Sequence, residues 1–475
     1  MNQNIFFKDN LYKETNRRSI STNSYVMHDG VIENNWPRYF YGSHILFMLF
    51  LIYIVYWYLQ GSFRFPILST IRFEFLMGFV LSLFGVQTYF KNPNRKKSEI
   101  GLWLVMLFIS MITMIFFSYV PEISFNLFID RVIKFSLLGF FIAAFVTTPK
   151  RLALFICFYL FSFFKMGQEG LLGHITGSLV WENQGVLRLN GPTPNYSHPN
   201  SFSGMALGTL PFIFYFFSIV DRYFRLILLV QLLFSLNIII FTGSRTGYVA
   251  LVIGLLFFIL KSSKPIKTFF TLLIVLLIAM PLIPSGYIER AETIFTQKDK
   301  EGNSTGTRKE ILRDAWTVFL DNPLGVGVGA FPAVRQQRFG RTQDTHNLYL
   351  EIGTNLGIQG LIIFFGLIFA LLRILSRLVK NLNTQSNLLE GLLLDKPSTN
   401  ISLGDLQKHK RDLQIMRATC QSIYLFVILR LGLGLFGMDL YEIYWWFACG
   451  TAVAVWNINT VAQSRTVTLV QLSKM

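Results

Sequence analysis

The chain has 475 residues and a formal net charge of +17. Hydrophobic residues make up 52% of it and charged residues only 15%, against ~25% charged residues in typical soluble domains. This composition excludes a soluble multidomain protein, a disordered chain, a collagen, a coiled coil and a small disulfide scaffold. Apolar residues occur in runs of about twenty, the length that a helix needs to cross a bilayer. The sequence therefore predicts an all-α polytopic membrane protein.

The first segment, 1–43, is rich in Asn, Ser and Thr and predicts a mostly disordered cytoplasmic tail that is not a cleavable signal peptide. Residues 44–475 are predicted to form a single transmembrane domain of about 12 helices. The predicted spans lie near 44–60, 72–90, 100–119, 131–148, 150–165, 200–220, 224–242, 246–260, 266–284, 357–377, 417–437 and 441–460.

Between these spans, three connections are long. Loop 166–199 is rich in Gly, Pro and Asn, and loop 285–345 separates the ninth and tenth predicted helices. The polar connection 378–416 is expected to be a solvated loop with a short helix near 403–416. Three cysteines, Cys157, Cys420 and Cys449, lie in or beside apolar runs and are expected to be buried.

The distribution of Lys and Arg predicts the orientation. An even number of spans places both termini on one side, and every loop on that side carries Lys or Arg, whereas the short loops on the other side are poor in both. Cytoplasmic loops collect these residues, so both termini are expected in the cytoplasm. Loops 166–199 and 285–345 then face outward; long translocated loops are largely exempt from the charge rule.

Two arginines on the predicted outer side are candidate anion ligands. Arg245 lies in Gly-Ser-Arg-Thr-Gly at 243–247, between two spans. It either extends towards the interface as an ordinary snorkelling side chain or binds an anion through its planar guanidinium. Arg308 precedes a predicted helix, 309–320, for which Thr307 is the expected N-cap residue. A helix N-terminus favours anions, although an ordinary solvated arginine is the alternative.

His346, in Thr-His-Asn at the outer boundary, is a candidate general base, because an imidazole titrates near neutral pH. A structural histidine is the alternative reading. Weaker candidates are His198, Arg338, Arg341 and Arg430. Arg430 lies inside a predicted span and is expected either to act in function or to pair with Asp439 or Glu442.

Several catalytic signatures are missing from the sequence. It contains no Asp-x-Asp, no cluster with metal-ligand spacing, no P-loop and no G-x-S-x-G motif. The run Pro-Leu-Gly-Val-Gly-Val-Gly at 323–329 is not followed by Lys-Ser/Thr and predicts a tightly packed turn. No metal site and no cofactor are therefore expected.

Four segments, in this order, resemble the O-antigen ligase and O-antigen polymerase family of bacterial membrane glycosyltransferases. They are 191–200, the 241–247 motif, the loop containing Thr307-Arg308 and the 323–329 run, and Thr-His-Asn-Leu-Tyr-Leu-Glu-Ile-Gly at 345–353 with Leu-Gly-Ile-Gln-Gly at 356–360. The resemblance covers a core of about 185–375 and includes the predicted periplasmic loop 285–345.

This resemblance implies a fold like that of the lipid-sugar-dependent, GT-C-type glycosyltransferases. It also implies metal-independent, inverting transfer of glycan from a polyprenyl-pyrophosphate donor, such as undecaprenyl pyrophosphate, at the periplasmic face of the bacterial inner membrane. By motif, Arg245 and Arg308 match the pyrophosphate-binding arginines and His346 matches the catalytic histidine. The acceptor would be a glycan, a lipid such as lipopolysaccharide core, or a protein, and nucleic acid is not an expected partner.

Two other functions stay open on the sequence. Some relatives have been linked to inorganic-carbon uptake, and twelve spans also suit a secondary transporter. A transporter, however, is expected to place polar groups and broken helices at the membrane midplane, whereas the polar candidates here cluster on one face. A scaffold in cell-envelope assembly is the third reading, and it predicts tolerance to alanine at Arg245, Arg308 and His346.

Overall fold

The computed structural model of the protein describes residues 27–28, 31–32, 39–183, 185–262, 264–296, 304–394 and 401–473. The chain divides into two units, 1–38 and 39–475. In the first, Met27–His28 (β1) pairs antiparallel with Val31–Ile32 (β2), which a wholly disordered tail does not predict. The rest of the predicted disordered tail up to residue 38 lies outside the described residues.

The second unit is mainly helical, and its helices follow one another with short connections. In chain order they are α1 His44–Tyr58, α2 Gly61–Arg64, α3 Pro66–Thr70, α4 Phe73–Lys91, α5 Glu99–Phe116, α6 Pro121–Leu127, a π-helix Phe128–Ile133, α7 Lys134–Phe145, α8 Pro149–Ile175, a 3₁₀ helix Pro194–Tyr196, α9 Pro199–Phe217, α10 Arg222–Phe241, α11 Arg245–Lys261, α12 Pro265–Ala279, a 3₁₀ helix Met280–Leu282, α13 Ser285–Thr296, α14 Ser304–Asp321, α15 Phe331–Phe339, α16 Leu348–Leu394, α17 Leu403–Leu433 and α18 Ile443–Leu472.

Each predicted span overlaps one of these helices, so the hydropathy runs located the helices correctly. Within the described residues, six helices are long and apolar enough to cross a membrane: α4, α5, α8, α10, α16 and α17. The helices α1 and α12 are apolar but shorter. The protein is therefore a helical membrane protein, and the total of twelve crossings stays a prediction.

The helices differ in how much of their surface the protein itself covers. In the apolar windows of α4 and α5, 22% of the residues are buried, against 67% in α17. Large apolar side chains of α4, among them Phe75, Phe79 and Phe90, point outward, as expected for a helix whose outer face contacts lipid. Cys420 and Cys449 are buried as predicted; Cys157 is exposed, because it lies on an outward face of α8.

The helix α16 is interrupted at Gly357, whose φ of 70° and ψ of −166° are not helical. The break frees backbone groups, and the 323–327 segment pairs with them: Val326 N donates to Thr354 O at 2.8 Å and Ile358 N donates to Pro323 O at 2.9 Å. A side chain at position 357 would meet the Leu324 carbonyl carbon at 2.3 Å. The glycine-rich run thus packs tightly, as predicted, against an irregular point of a membrane helix.

The prediction of a solvated loop beginning at 378 is wrong, whereas the helix predicted near 403–416 is present as the first part of α17. Helix α16 continues to Leu394 and α17 begins at Leu403. A buried polar chain joins the extended ends: His409 Nε2 lies 2.9 Å from Thr466 Oγ1, Thr466 donates to Gln385 at 3.0 Å, and Gln385 donates to Asn459 at 3.0 Å. Polar side chains bonded to one another in this way stabilise helix packing together with the buried leucines around them, such as Leu389 and Leu406.

The other two long connections are also structured, and one departs from the all-α prediction. Helix α8 extends to Ile175, and loop 166–199 then forms an antiparallel hairpin of β3, Val180–Asn183, and β4, Val186–Leu189. Loop 285–345 contains α13, α14 and α15. Tyr287 of α13 donates to the Leu187 carbonyl of β4 at 2.7 Å, so the two connections are in contact.

Candidate functional site

Arg245 begins a helix that follows a sharp turn. Helix α10 ends at Phe241, and Gly243 adopts a left-handed φ of 55°. The hydroxyl of Ser244 then caps α11 by accepting a hydrogen bond from Gly247 N at 3.1 Å. The unpaired N–H groups and the dipole of a helix N-terminus favour an anion at this position.

Two further arginines donate hydrogen bonds to backbone carbonyls of this turn. Arg188 Nε donates to Thr242 O at 2.8 Å, and Arg290 Nε donates to Gly243 O at 2.6 Å. Both side chains are buried, with 4% and 6% of their surface exposed. The turn before Arg245 is therefore held from two sides, by the β3–β4 hairpin and by α13.

Asn200 completes the arrangement. Its Oδ1 accepts hydrogen bonds from Arg188 Nη2 at 3.1 Å and from Ser244 Oγ at 2.9 Å. Our reading of the sequence missed Arg188 and Arg290. For Arg188 a signal existed: it is the one charged residue in the apolar strand Val186–Leu189. Only the fold reveals Arg290, since its own helix gives no sign of the turn that it contacts.

Arg308 lies in the first turns of α14, and the predicted boundary of that helix is wrong. The helix begins at Ser304 rather than at 309, so Thr307 lies inside it and is not the N-cap residue. Arg308 influences groups on three other segments: its positive charge lowers the pKa of Arg188, of His198 and of His346, in each case adding to burial. It therefore stands near all three.

His346 occupies an unusual backbone conformation, with a φ of 48°. Left-handed backbone is uncommon outside glycine and often marks a functional position. The conformation is anchored by Asn347, whose Oδ1 caps α16 by accepting hydrogen bonds from Tyr349 N and Leu350 N, both at 3.0 Å. The backbone immediately after His346 is thus fixed by the hydrogen bonds of Asn347, and this holds the imidazole in position.

Burial lowers the pKa of His346, and the charge of Arg308 lowers it further, while Asp344 acts in the opposite direction. The imidazole is therefore neutral at neutral pH and able to accept a proton. Asp344 was missed in the sequence; burial raises its own pKa. Glu351, five residues after His346, accepts a hydrogen bond from Leu440 N at 3.0 Å.

His198 is the N-cap residue of α9, where its Nδ1 accepts a hydrogen bond from Asn200 N at 3.1 Å. Burial lowers its pKa, and the charges of Arg188, His346 and Arg308 lower it further. His198 thus has a structural role at a helix start and also lies beside the arginines and the second histidine.

Arg335 holds the loop that leads to His346. It is fully buried, with its Nε and Nη2 each 2.9 Å from Asp314 Oδ2. Its Nη1 donates to the side-chain oxygen of Gln343 at 2.6 Å. This ion pair ties α15 to α14 and positions the chain three residues before the imidazole.

The weaker arginine candidates have carboxylate partners. Arg338 Nη1 lies 2.7 Å from Asp321 Oδ2, and Arg341 Nη1 lies 3.1 Å from Glu310 Oε2. All four side chains are more than a third exposed. These pairs are surface contacts of α14 with the segment that follows it, and Arg341 Nη1 also lies 3.5 Å from the buried Asp314 Oδ2.

Arg430 is buried within α17, where its Nη1 lies 3.8 Å from Asp439 and its Nη2 donates to Gly204 O at 3.0 Å. Of the two partners considered in the sequence, Asp439 is therefore the one that it contacts, and Glu442 pairs with Arg131. This pairing accounts for Arg430 as a link between α17, α9 and the following loop.

The fold and these contacts define a class: a helical membrane protein in which arginines and two histidines from distant segments meet at the ends of apolar helices. Among the described residues, no group of three or more His, Cys, Asp or Glu side chains is placed to hold a metal ion.

Residues 230–365 match the family model described as O-antigen ligase, so the chain contains a domain of the O-antigen ligase family. The resemblance read from the motifs is confirmed. The match includes Arg245, Arg308 and His346 and covers a minority of the chain. No curated protein matches the chain. With the apolar helices, the family match identifies a membrane enzyme of glycan assembly.

Proposed function

We propose that the protein is a glycosyltransferase that transfers or polymerises glycan from a polyprenyl-pyrophosphate donor on the periplasmic face of the bacterial inner membrane. The observation that carries this proposal is the position of Arg308. Its charge acts on both His346 and Arg188, so a cation from the long loop, a neutral imidazole and the turn that carries Arg245 share one neighbourhood. The family match over all three predicted residues supports the same conclusion.

The proposed reaction is a direct displacement that inverts the anomeric carbon. The acceptor hydroxyl oxygen forms a bond to that carbon while the bond from carbon to phosphate oxygen breaks. The hydroxyl proton passes to the imidazole of His346, and the diphosphate leaves with the bonding electrons. Arg245 and Arg308 supply the positive charge that stabilises this leaving group, so the proposed step does not use a metal ion.

A complementation experiment tests the proposal. The gene is deleted and replaced by wild type, Arg245→Ala, Arg308→Ala or His346→Gln, with Arg377→Ala as control because Arg377 forms an exposed pair with Glu99. Protein levels are matched, and lipid-linked and surface glycans are measured by gel and mass spectrometry. Loss of a general base typically lowers the rate by roughly 10²–10⁴-fold, so His346→Gln is expected to accumulate donor as the deletion does.

The accumulating species also identifies the acceptor. Single lipid-linked repeats indicate a polymerase, and long lipid-linked chains that are not transferred indicate a ligase. Unchanged glycans in the deletion strain would contradict the enzyme. If growth at low inorganic carbon failed instead, the transporter reading would replace it.

A further inference from the structure

Arg188 is buried with neutral partners only. Its Nε and Nη2 donate to Thr242 O and Asn200 Oδ1, and in the described part of the chain it forms no ion pair and its Nη1 has no hydrogen-bond partner. A buried charge without a counter-charge is costly, and native proteins normally pair it. The positive charge of Arg188 is therefore not neutralised by the groups that it contacts.

The charged groups beside Arg188 add to this positive charge. Burial, together with the nearby charges of Arg290, Arg245 and Arg308, lowers the pKa of Arg188 to about 9, while Tyr248 acts in the opposite direction. Its guanidinium is still positive at neutral pH. None of the groups that act most strongly on the pKa of Arg188 is a carboxylate. Like charges gathered in one buried place favour an anion that binds them together.

The hydrogen bonds of Arg188 also fix its orientation. Thr242 and Asn200 hold one edge of the guanidinium, and Asn200 binds Ser244 as well, the residue directly before Arg245. Arg188 is thus locked to the same turn that presents Arg245 at a helix N-terminus. The Nη1 edge remains for a ligand, and a guanidinium edge suits a phosphate oxygen.

We propose that Arg188 is a third diphosphate-binding arginine of this site, contacting through Nη1 the same diphosphate as Arg245 and Arg308. This inference rests on the proposed function and adds to it a residue outside the matched family domain. The alternative is a structural arginine that only caps the end of α10 through Thr242.

Binding of inorganic diphosphate to the purified full-length chain separates these readings. The midpoint of thermal unfolding is measured against diphosphate concentration, because a ligand that binds only the folded state raises it. Wild type is compared with Arg188→Gln and Arg188→Lys. Loss of one charged contact is expected to weaken diphosphate binding roughly 10- to 100-fold in Arg188→Gln, and Arg188→Lys is expected to recover part of it.

Arg151 provides the matched control. It is also buried and donates to two backbone carbonyls, Phe145 O and Ser43 O, each at 3.1 Å. It lies at the opposite end of α8 from the β3–β4 hairpin, and α8 has 27 residues, a length of roughly 40 Å. Arg151→Gln is expected to bind diphosphate as wild type does, even where it unfolds at a lower temperature.

The outcomes distinguish this inference from the proposed function. If diphosphate stabilises wild type and Arg188→Gln equally, the inference about Arg188 is overturned and the proposed function stands. If diphosphate does not stabilise wild type, both fail. Should Arg188→Gln not fold, Arg188→Lys decides, because a lysine lacks the planar fork: an unchanged diphosphate affinity then overturns the proposal.

Discussion

The loop that presents His346 and the turn that presents Arg245 are both held by buried arginines, but the two arginines are balanced differently. Arg335 holds the His346 loop and forms an ion pair with the carboxylate of Asp314. Arg188 holds the Arg245 turn and bonds only to neutral oxygens. The first is a closed ion pair, whereas the second lacks a negative charge in its own contacts.

This difference indicates that the buried charge of Arg335 stabilises the structure, whereas the buried charge of Arg188 binds an anionic ligand. The charges of an ion pair such as Arg335 and Asp314 balance each other, so a bound ligand is not needed to neutralise them. Arg188, which lies near other arginines, is stabilised when an anion binds in the same site. The comparison therefore distinguishes an arginine that stabilises the His346 loop from an arginine that binds a ligand at the Arg245 turn. Sequence patterns alone do not distinguish the two.

The largest expected effect comes from breaking the closed pair. Arg335→Met leaves the buried Asp314 carboxylate with only Arg341, which is partly exposed and whose Nη1 lies 3.5 Å from Asp314 Oδ2. Removing one partner of a buried ion pair typically costs about 3–5 kcal/mol of stability. The control is Arg338→Met, which removes an arginine from an exposed pair with Asp321 and is expected to cost under about 1 kcal/mol. Chemical unfolding of the purified variants measures both, and equal losses would show that the Arg335 pair is not a structural support.

A smaller effect is expected from the backbone of the Arg245 turn. A side chain at Gly243 would lie 3.2 Å from Arg290 Cδ, and Gly243 has a left-handed φ. Gly243→Ala is therefore expected to cost about 1–2 kcal/mol and also to weaken binding of inorganic diphosphate, because it displaces Arg290 from its carbonyl.

Gly340→Ala is the control for that prediction. Gly340 has a φ of 70° and no atom within 4 Å of the added carbon, so the backbone cost is retained without the contact. Its stability loss is expected to be similar and its diphosphate affinity unchanged. Equal diphosphate affinities in the two variants would mean that Arg290 does not contribute to the turn's function.

The smallest effects concern pH and have opposite signs. His346 acts as a base when neutral, and its pKa is lowered from 6.5 by burial and by Arg308, against Asp344. Activity is therefore expected to fall only as the pH drops below about 6.5. Arg308→Gln removes a positive charge and moves this acid limb to higher pH, while Asp344→Asn removes a negative charge and moves it to lower pH.

The pH dependence of kcat/KM for the residual activity measures this limb. Shifts in the same direction in both variants would contradict the assignment of the limb to His346. His346→Gln should remove the limb from whatever activity remains.

The helices and the candidate residues of the proposed site could be named from the sequence because their signals are local. Hydropathy runs of about twenty residues indicate membrane helices wherever they occur, and the short motifs around Arg245, Arg308 and His346 carried the family resemblance. Helix ends were less accessible: α16 and α17 extend through the expected loop 378–416 because buried polar partners such as Gln385 and Thr466 stabilise them.

By itself, then, the sequence determined a polytopic helical membrane protein, the family of its 230–365 domain and three candidate residues, since composition and short motifs require no knowledge of distant contacts. Only the tertiary structure decided which charges meet. It brought Arg188 and Arg290 onto the Arg245 turn and placed Asp344 rather than Glu351 beside His346. The reason is physical: whether a buried charge is balanced depends on side chains from segments far apart in the chain, and no local pattern records their distances.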